Sequence, residues 1–183
     1  INVLADCGNM QPERRYRFPL ELTKEQYERG KRRLIAAWKL ICALPGMPCI
    51  YYGDEAGLQG WKDPFNRRCY PWGQEDTELI DYTRQLAKIR REHPAFAEGA
   101  MEFLVLEDNV VGFARYIPEN GSSAVILLNR SGNTAMVSLR DKAFSRYAFS
   151  TVISGICDGD AVILPKNSYA VISAVRTNVP NAR

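Results

Sequence analysis

Two adjacent carboxylates, Asp54 and Glu55, follow the short apolar run Pro48–Tyr52. If that run is a buried strand, they lie at its carboxyl end, where α/β proteins keep their active sites. Neighbouring residues that leave a strand point to opposite faces, so we do not expect these two carboxylates to act together on one bond. We expect at least one of them to hold the following loop by accepting hydrogen bonds from backbone amides.

The loop from Gly60 to Gly73 combines aromatic rings with charged, planar groups. Its sequence is Gly-Trp-Lys-Asp-Pro-Phe-Asn-Arg-Arg-Cys-Tyr-Pro-Trp-Gly. Aromatic faces and forked hydrogen-bonding groups suit sugar rings, which present apolar faces and hydroxyl edges. An ordinary packed loop has the same residue types, so composition alone leaves both interpretations open.

The other chemically capable side chains favour structural roles. The single histidine, His93, directly precedes Pro94, where its charge would suit a helix C-terminus. The chain has five cysteines: Cys7, Cys42, Cys49, Cys69 and Cys157. They show neither C-x-x-C spacing nor companion histidines, so we expect free thiols packed as small apolar residues and no zinc site. Free thiols slightly favour the cytoplasm, and we expect no cofactor and no calcium site, since no dense cluster of oxygen ligands is visible.

A long amphipathic helix is predicted from Thr23 to about Leu44. Thr23 and Gln26 have the spacing of a capping box, and Pro45-Gly46 ends the helix. The apolar positions with a helical period are Tyr27, Leu34, Trp38 and Ile41. The basic run Arg29–Arg33 is predicted to be a solvated face of this helix.

A buried strand and a second helix are predicted to follow. Pro48–Tyr52 is apolar on both faces, which is typical of a strand in a parallel sheet. The second helix has Asp76 as its N-cap and ends before Pro94. Its apolar face comprises Leu79, Tyr82, Leu86 and Ile89. The order of helix, strand, long loop and helix indicates the closing part of an α/β architecture.

After residue 100 the pattern changes to short alternating strands separated by turn residues such as Asn120-Gly121 and Asp158-Gly159. The predicted strands are Met101–Leu106, Val110–Ile117, Ser123–Asn129, Thr134–Leu139, Tyr147–Ile153, Ala161–Leu164 and Ser168–Ala174. So many strands in so short a segment predict an antiparallel sandwich or barrel.

Composition excludes several classes of protein. The chain has 183 residues, 46% of them hydrophobic, with 24 Lys+Arg and 21 Asp+Glu. This balance is typical of a globular protein rather than a disordered one, and a net charge of +3 does not indicate a nucleic-acid partner. No apolar stretch is long enough to predict a membrane span. Because the chain starts at Ile1 without a methionine, we expect it to be a piece of a longer protein.

The run Leu44–Glu55, together with Asp63-Pro-Phe-Asn-Arg67 and Tyr70-Pro-Trp-Gly73, closely resembles the α-amylase family, glycoside hydrolase family 13. Within that family it looks most like the neopullulanase and cyclomaltodextrinase branch. The resemblance implies a multidomain α/β plus β chain. Residues 1–96 would be the end of a catalytic (β/α)₈ barrel, comprising helix seven, strand eight and helix eight, and residues 97–183 would be a C-terminal antiparallel β-sandwich.

The family hydrolyses α-glucosidic bonds with retention, so the resemblance implies an α-glucan or maltooligosaccharide substrate for the parent enzyme. The family's nucleophile lies in a Gly-x-Arg-x-Asp motif, its acid/base is a glutamate after a later strand, and a third carboxylate lies in a His-Asp motif. Neither motif occurs in this chain, so we expect all three carboxylates upstream and this chain alone to be inactive. Asp63 and Arg67 match the residues that line sugar subsites on the non-reducing side of the cleaved bond, and Glu55 matches a position with a supporting role.

Two alternatives remain open at this point. The chain could belong to a non-catalytic relative, such as the amylase-like ectodomain of amino-acid transporter heavy chains. The sandwich could itself bind carbohydrate, for which Tyr116, Tyr147 and Tyr169 are the aromatic candidates. In either case a lone strand Pro48–Tyr52 without barrel neighbours would expose backbone and apolar side chains, so we expect self-association or altered packing of this part.

Overall fold

The computed structural model describes Ala5 and residues 22–60, 63–107, 109–119 and 121–177. The chain forms two compact units. The first comprises Ile1–Trp38 and Pro48–Leu86, and the second comprises Lys39–Met47 and Ala87–Arg183. The expected domain boundary between residues 96 and 97 stays a prediction.

Both long helices begin at the predicted caps. Helix α1 spans Lys24–Ala43, α2 spans Thr77–Glu92, and a single turn, α3, spans Ala95–Glu98. At the start of α1, the Thr23 N–H donates to Gln26 Oε1 at 2.9 Å and the Gln26 N–H donates to Thr23 Oγ1 at 3.3 Å, which confirms the capping box. At the start of α2, Asp76 Oδ1 accepts the Leu79 N–H at 3.1 Å, which confirms the N-cap.

The predicted strand Pro48–Tyr52 is wrong. Residues 48–51 have no regular secondary structure, Tyr52 and Gly53 form a turn, and Asp54–Ala56 form a 3₁₀ turn. Tyr51 and Tyr52 are 49% and 44% exposed. A strand needs a neighbour for its backbone hydrogen bonds, and in the part of the chain that the structure describes no strand pairs with this run. The barrel piece therefore stays a prediction.

The antiparallel β part is confirmed. The strands are β1 Ala100–Leu106, β2 Val110–Tyr116, β3 Ser122–Asn129, β4 Ala135–Ser138, β5 Tyr147–Ser154, β6 Ile156–Asp158, β7 Ala161–Leu164 and β8 Tyr169–Arg176. All seven predicted strands are present, and β6 is an addition. A second 3₁₀ turn spans Lys142–Phe144.

The strands form two antiparallel sheets in the second unit, in the orders β1-β2-β3-β8-β5 and β4-β7-β6. One core contains buried residues of both sheets, among them Val125 and Leu127 of β3 and Val162 and Leu164 of β7. Two sheets that share a core are the arrangement of a β-sandwich.

The larger sheet is buried on its other face as well. Phe113, Ile126 and Val171 pack with Ala43, at the end of α1, and with Phe96 of α3. Residues 39–47 therefore belong to the same compact unit as the strands. Burial on both faces also explains why β3 has consecutive buried apolar residues rather than a strict alternation.

The cysteines that the structure describes are free thiols, as expected. Cys42 is half-buried, whereas Cys49, Cys69 and Cys157 are exposed, so the expected burial is wrong for these three. They lie in the irregular run, in the long loop and in the edge strand β6, where no core covers them. In the described part of the chain, no helix combines the length and the apolar character that a bilayer crossing requires.

Candidate functional site

The candidate site is the loop from Gly57 to Glu75, which connects the 3₁₀ turn to α2 in the first unit. Its two ends meet, because the Asp76 N–H donates to the Ala56 carbonyl at 2.9 Å. Gly57 has a φ of +77°, a conformation that glycine adopts readily. The loop is therefore closed at its base.

Asp63 and Arg67 lie together, as their spacing allows. Arg67 Nε is 2.7 Å from Asp63 Oδ1, and the two side chains are 70% and 61% exposed respectively. The Arg67 N–H donates to the Pro64 carbonyl at 3.0 Å, which closes the turn between them; the Asp63–Pro64 peptide bond is cis. The pair presents a guanidinium and a carboxylate side by side to solvent, and both groups can make charge-assisted hydrogen bonds with hydroxyl groups.

Aromatic side chains lie before and after this pair. The Tyr70 and Trp72 ring centroids are 4.5 Å apart at an interplanar angle of 48°, and Trp72 is 81% exposed. Tyr51 and Tyr52 form a second ring pair at 4.9 Å, and the Tyr52 hydroxyl donates to the Arg68 carbonyl at 3.0 Å. Exposed, paired rings of this kind provide flat apolar surfaces.

Arg68, the neighbour of Arg67, has a different role. Its Nη1 donates to the Gln59 carbonyl at 3.0 Å, and Gln59 Oε1 accepts the Leu22 N–H at 2.9 Å. These bonds tie the middle of the loop to its start and to the segment before α1. Arg68 therefore holds the loop together, whereas Arg67 faces outward.

Two buried oxygen acceptors belong to the same part of the chain. Glu55 Oε2 and Asn66 Oδ1 are buried and have no hydrogen-bond partner within the structure. An unpaired buried acceptor is costly, and a ligand hydroxyl is one group that can supply the missing donor. For Asp54, burial raises the pKa and the nearby charge of Glu55 raises it further. The expected hydrogen bonds from backbone amides to one of these carboxylates stay a prediction.

A buried ion cluster, which the local sequence pattern did not predict, lies at the base of the loop. Lys31 is only 6% exposed, and its Nζ lies 2.8 Å from Asp76 Oδ2 and 2.6 Å from Glu78 Oε2. The Tyr27 hydroxyl donates to Asp76 Oδ2 at 2.8 Å. The predicted solvated face of Arg29–Arg33 is therefore wrong for Lys31. The signal was its position four residues after Tyr27 and three before Leu34, on the apolar face of α1.

The cluster stabilises the charged forms of the lysine and the aspartate. Burial alone would lower the pKa of Lys31, but the hydrogen bonds to Asp76 and Glu78 raise it above its usual value. Burial alone would raise the pKa of Asp76, but the hydrogen bonds from Lys31, Tyr27 and the Leu79 N–H lower it. Burial and, to a smaller extent, the hydrogen bond to Asp76 raise the pKa of Tyr27 well above its usual range. Tyr27 thus remains a neutral donor to a charged acceptor.

The remaining candidates lie in the second unit. The His93 N–H donates to the Ile89 carbonyl at 3.1 Å at the end of α2. The ring centroids of His93 and Phe96 are 6.2 Å apart in a T-shaped arrangement. Tyr147 is buried with its hydroxyl 3.0 Å from Glu102 Oε2. Tyr116 and Tyr169 each have a cation over the ring, at 4.0 and 4.1 Å from the centroid. These three tyrosines therefore do not form an exposed aromatic platform on the sandwich.

The described residues contain no group of three or more His, Cys, Asp or Glu side chains that could hold a metal ion.

No family model matches the chain. The chain is 38% identical over 148 residues to the amylopullulanase of Thermoanaerobacter thermohydrosulfuricus, covering 72% of this chain. It is 35% identical over 94 residues to the cyclomaltodextrinase of Geobacillus thermopakistaniensis, covering 50% of this chain.

The chain is a relative of the α-amylase family. Within this family its similarity to a cyclomaltodextrinase agrees with the neopullulanase-like motifs. The structure is similar to the debranching enzyme of Nostoc punctiforme, with a TM-score of 0.65, 26% identity and coverage of 77% of this chain and 30% of that one. This α-amylase relative spans only 10% of the amylopullulanase and 16% of the cyclomaltodextrinase.

Proposed function

We propose that this chain is the C-terminal portion of a retaining α-glucan hydrolase that cleaves α-glucosidic bonds in starch-derived α-glucans and maltooligosaccharides. The observation that carries the proposal is the 38% identity to an amylopullulanase over 148 residues. The exposed Asp63–Arg67 pair, close in sequence to the paired rings of Tyr70 and Trp72, supports it, because this combination suits sugar hydroxyls and ring faces.

Asp63 and Arg67 bind sugar in this proposal and carry no bond-breaking step. The Asp63 carboxylate accepts hydrogen bonds from sugar hydroxyls, and the Arg67 guanidinium donates to their oxygens. Each group also orients the other, because Nε and Oδ1 are 2.7 Å apart before any sugar binds. We place the nucleophile, the acid/base and the third carboxylate elsewhere in the parent protein, so the 183-residue chain alone has no hydrolase activity.

The first test compares the full-length parent with the 183-residue chain on pullulan, cyclodextrins and maltooligosaccharides. We expect turnover by the parent, none by the chain alone, and a first-formed product that keeps the α configuration in a proton NMR time course. An inactive parent would contradict the hydrolase proposal and favour the non-catalytic relative. Activity of the chain alone would contradict the placement of the catalytic carboxylates.

The second test concerns the sugar-binding pair in the full-length parent. We expect Asp63→Asn and Arg67→Met each to raise KM by roughly tenfold, the loss of about one charge-assisted hydrogen bond, with a smaller effect on kcat. Asp81→Asn is the matched control, because Asp81 forms an exposed ion pair with Arg84 at 3.1 Å on α2. If all three variants keep the KM of the unmodified protein, Asp63 and Arg67 do not bind substrate.

A further inference from the structure

Three contacts hold the base of the loop Gly57–Glu75. The hydrogen bond from the Asp76 N–H to the Ala56 carbonyl joins the two residues that flank the loop. The Tyr27 hydroxyl, on α1, lies so close to Gly57 that an added Cβ there would be 2.1 Å from the oxygen. The same hydroxyl donates to Asp76 Oδ2 at 2.8 Å. The Tyr27 side chain of α1 therefore contacts Gly57, the first residue of the loop, and Asp76, the residue that follows the loop.

Lys31 fixes the orientation of the Asp76 carboxylate. Its Nζ donates to both carboxylate oxygens of Asp76, at 2.9 Å to Oδ1 and 2.8 Å to Oδ2. Asp76 Oδ1 also accepts the Leu79 N–H and Oδ2 also accepts the Tyr27 hydroxyl, so both oxygens have directional partners. The Asp76 carboxylate therefore has little rotational freedom. The Asp76 backbone N–H, whose hydrogen bond to the Ala56 carbonyl closes the loop, is held in place with it.

We propose that Tyr27, Lys31 and Asp76 are positioning residues that hold the loop base, and through it the Asp63–Arg67 pair, in the conformation that binds sugar. This inference rests on the proposed function for its substrate. None of the three touches the sugar; they act by fixing where the loop starts and ends. An ion pair in a buried setting is weak evidence for stability but suits a role in selecting one conformation.

The mildest test is Tyr27→Phe in the full-length parent, because it removes one oxygen and keeps the ring. Hydrogen–deuterium exchange should rise several-fold in peptides that contain the loop amides Leu58, Arg67 and Gln74, all of which are hydrogen-bonded. Exchange in β3 and β8 should not change. Asp81→Asn, one turn further along α2, is the control and should leave loop exchange unchanged.

The kinetic readout separates positioning from general destabilisation. We expect Tyr27→Phe and Lys31→Met to raise KM for maltooligosaccharides by about tenfold while kcat changes less than about twofold, because the pair that binds sugar is displaced and the chemical step is not touched. In an Asp76→Ala background, Tyr27→Phe should have no further effect, since its acceptor is gone. A loss of active protein would instead lower kcat and leave KM unchanged.

Failure of this inference can be told apart from failure of the proposed function. If the unmodified parent hydrolyses no α-glucan, the proposed function is wrong, and the exchange experiment still tests whether the three residues hold the loop. If the parent is active, unchanged loop exchange or an unchanged KM in Tyr27→Phe and Lys31→Met overturns the positioning role. Additive effects of Tyr27→Phe and Asp76→Ala on KM also overturn it.

Discussion

Arg115 of β2 is a buried guanidinium that the chain satisfies with carbonyl oxygens. It is 1% exposed and donates to the carbonyls of Ala43 at 2.8 Å, Gly99 at 2.7 Å and Ala100 at 3.3 Å. Ala43 is the last residue of α1, where the helix dipole is negative and favours a cation. Burial lowers the pKa of Arg115, and the nearby charge of Arg90 lowers it further.

We expect Arg115→Met to lower the free energy of unfolding by about 3 kcal/mol, because the buried Ala43 carbonyl and the partly buried Gly99 and Ala100 carbonyls lose their donor. The measurement is urea denaturation of the 183-residue chain. Arg140→Met is the matched control, since the Arg140 side chain is 80% exposed and its ion pair with Asp160 should contribute little. Equal unfolding midpoints for the two variants would show that Arg115 is not needed to complete the hydrogen bonds of this core.

Helices α1 and α2 and seven strands were predictable because their signals are local. Caps such as Thr23 and Asp76, and alternation within a strand, depend on a few neighbouring residues. The run Pro48–Tyr52 failed for the opposite reason, because an apolar run becomes a strand only when another strand pairs with it. Strand β6 is three residues long, too short to show an alternation.

The candidate site was predictable in part. Asp63 and Arg67 are four residues apart, and the structure brings their side chains within 2.7 Å. Lys31 was not predicted to be buried, because it lies in a basic run and only its position on the apolar face of α1 distinguishes it from the other basic residues. Its partner, Asp76, was predicted as a helix cap and serves as both a cap and a counter-ion. A contact across 45 residues of sequence is not visible in a local pattern.

The cluster between α1 and α2 predicts a pH dependence. The pKa of Asp76 is below its ordinary value of 3.8, so its stabilisation is present above that pH and is lost as the pH falls through the lower pKa of the folded state. Asp76→Asn keeps a good helix cap and should lower the free energy of unfolding by about 2 kcal/mol at neutral pH. In urea denaturation at stepwise lower pH, the difference in the free energy of unfolding between the unmodified protein and Asp76→Asn should shrink once the pH falls below 3.8. A constant difference would contradict the role of the charge.

At the scale of the whole molecule, each of the two units exposes apolar side chains. In the first unit, the irregular run contains Tyr51 and Tyr52, which are 49% and 44% exposed. On the three-stranded sheet, Met136 and Ile156 are 72% and 53% exposed and both pair with Ile163. The Tyr51 and Tyr52 rings are adjacent, and in the described part of the chain no strand pairs with their backbone, so this run favours association with another surface.

We therefore expect the isolated 183-residue chain to self-associate through residues 48–52. In sedimentation equilibrium, Tyr51→Lys should weaken association by about tenfold, because a charge would have to be desolvated in the contact, and it should reduce binding of a dye that reports exposed apolar patches. Met136→Lys is the control on β4 and should leave the association constant unchanged. A monomeric chain that binds no dye would contradict the prediction. Weakening by Met136→Lys alone would instead assign the contact to the edge of the three-stranded sheet, because β4 is one of its two outer strands.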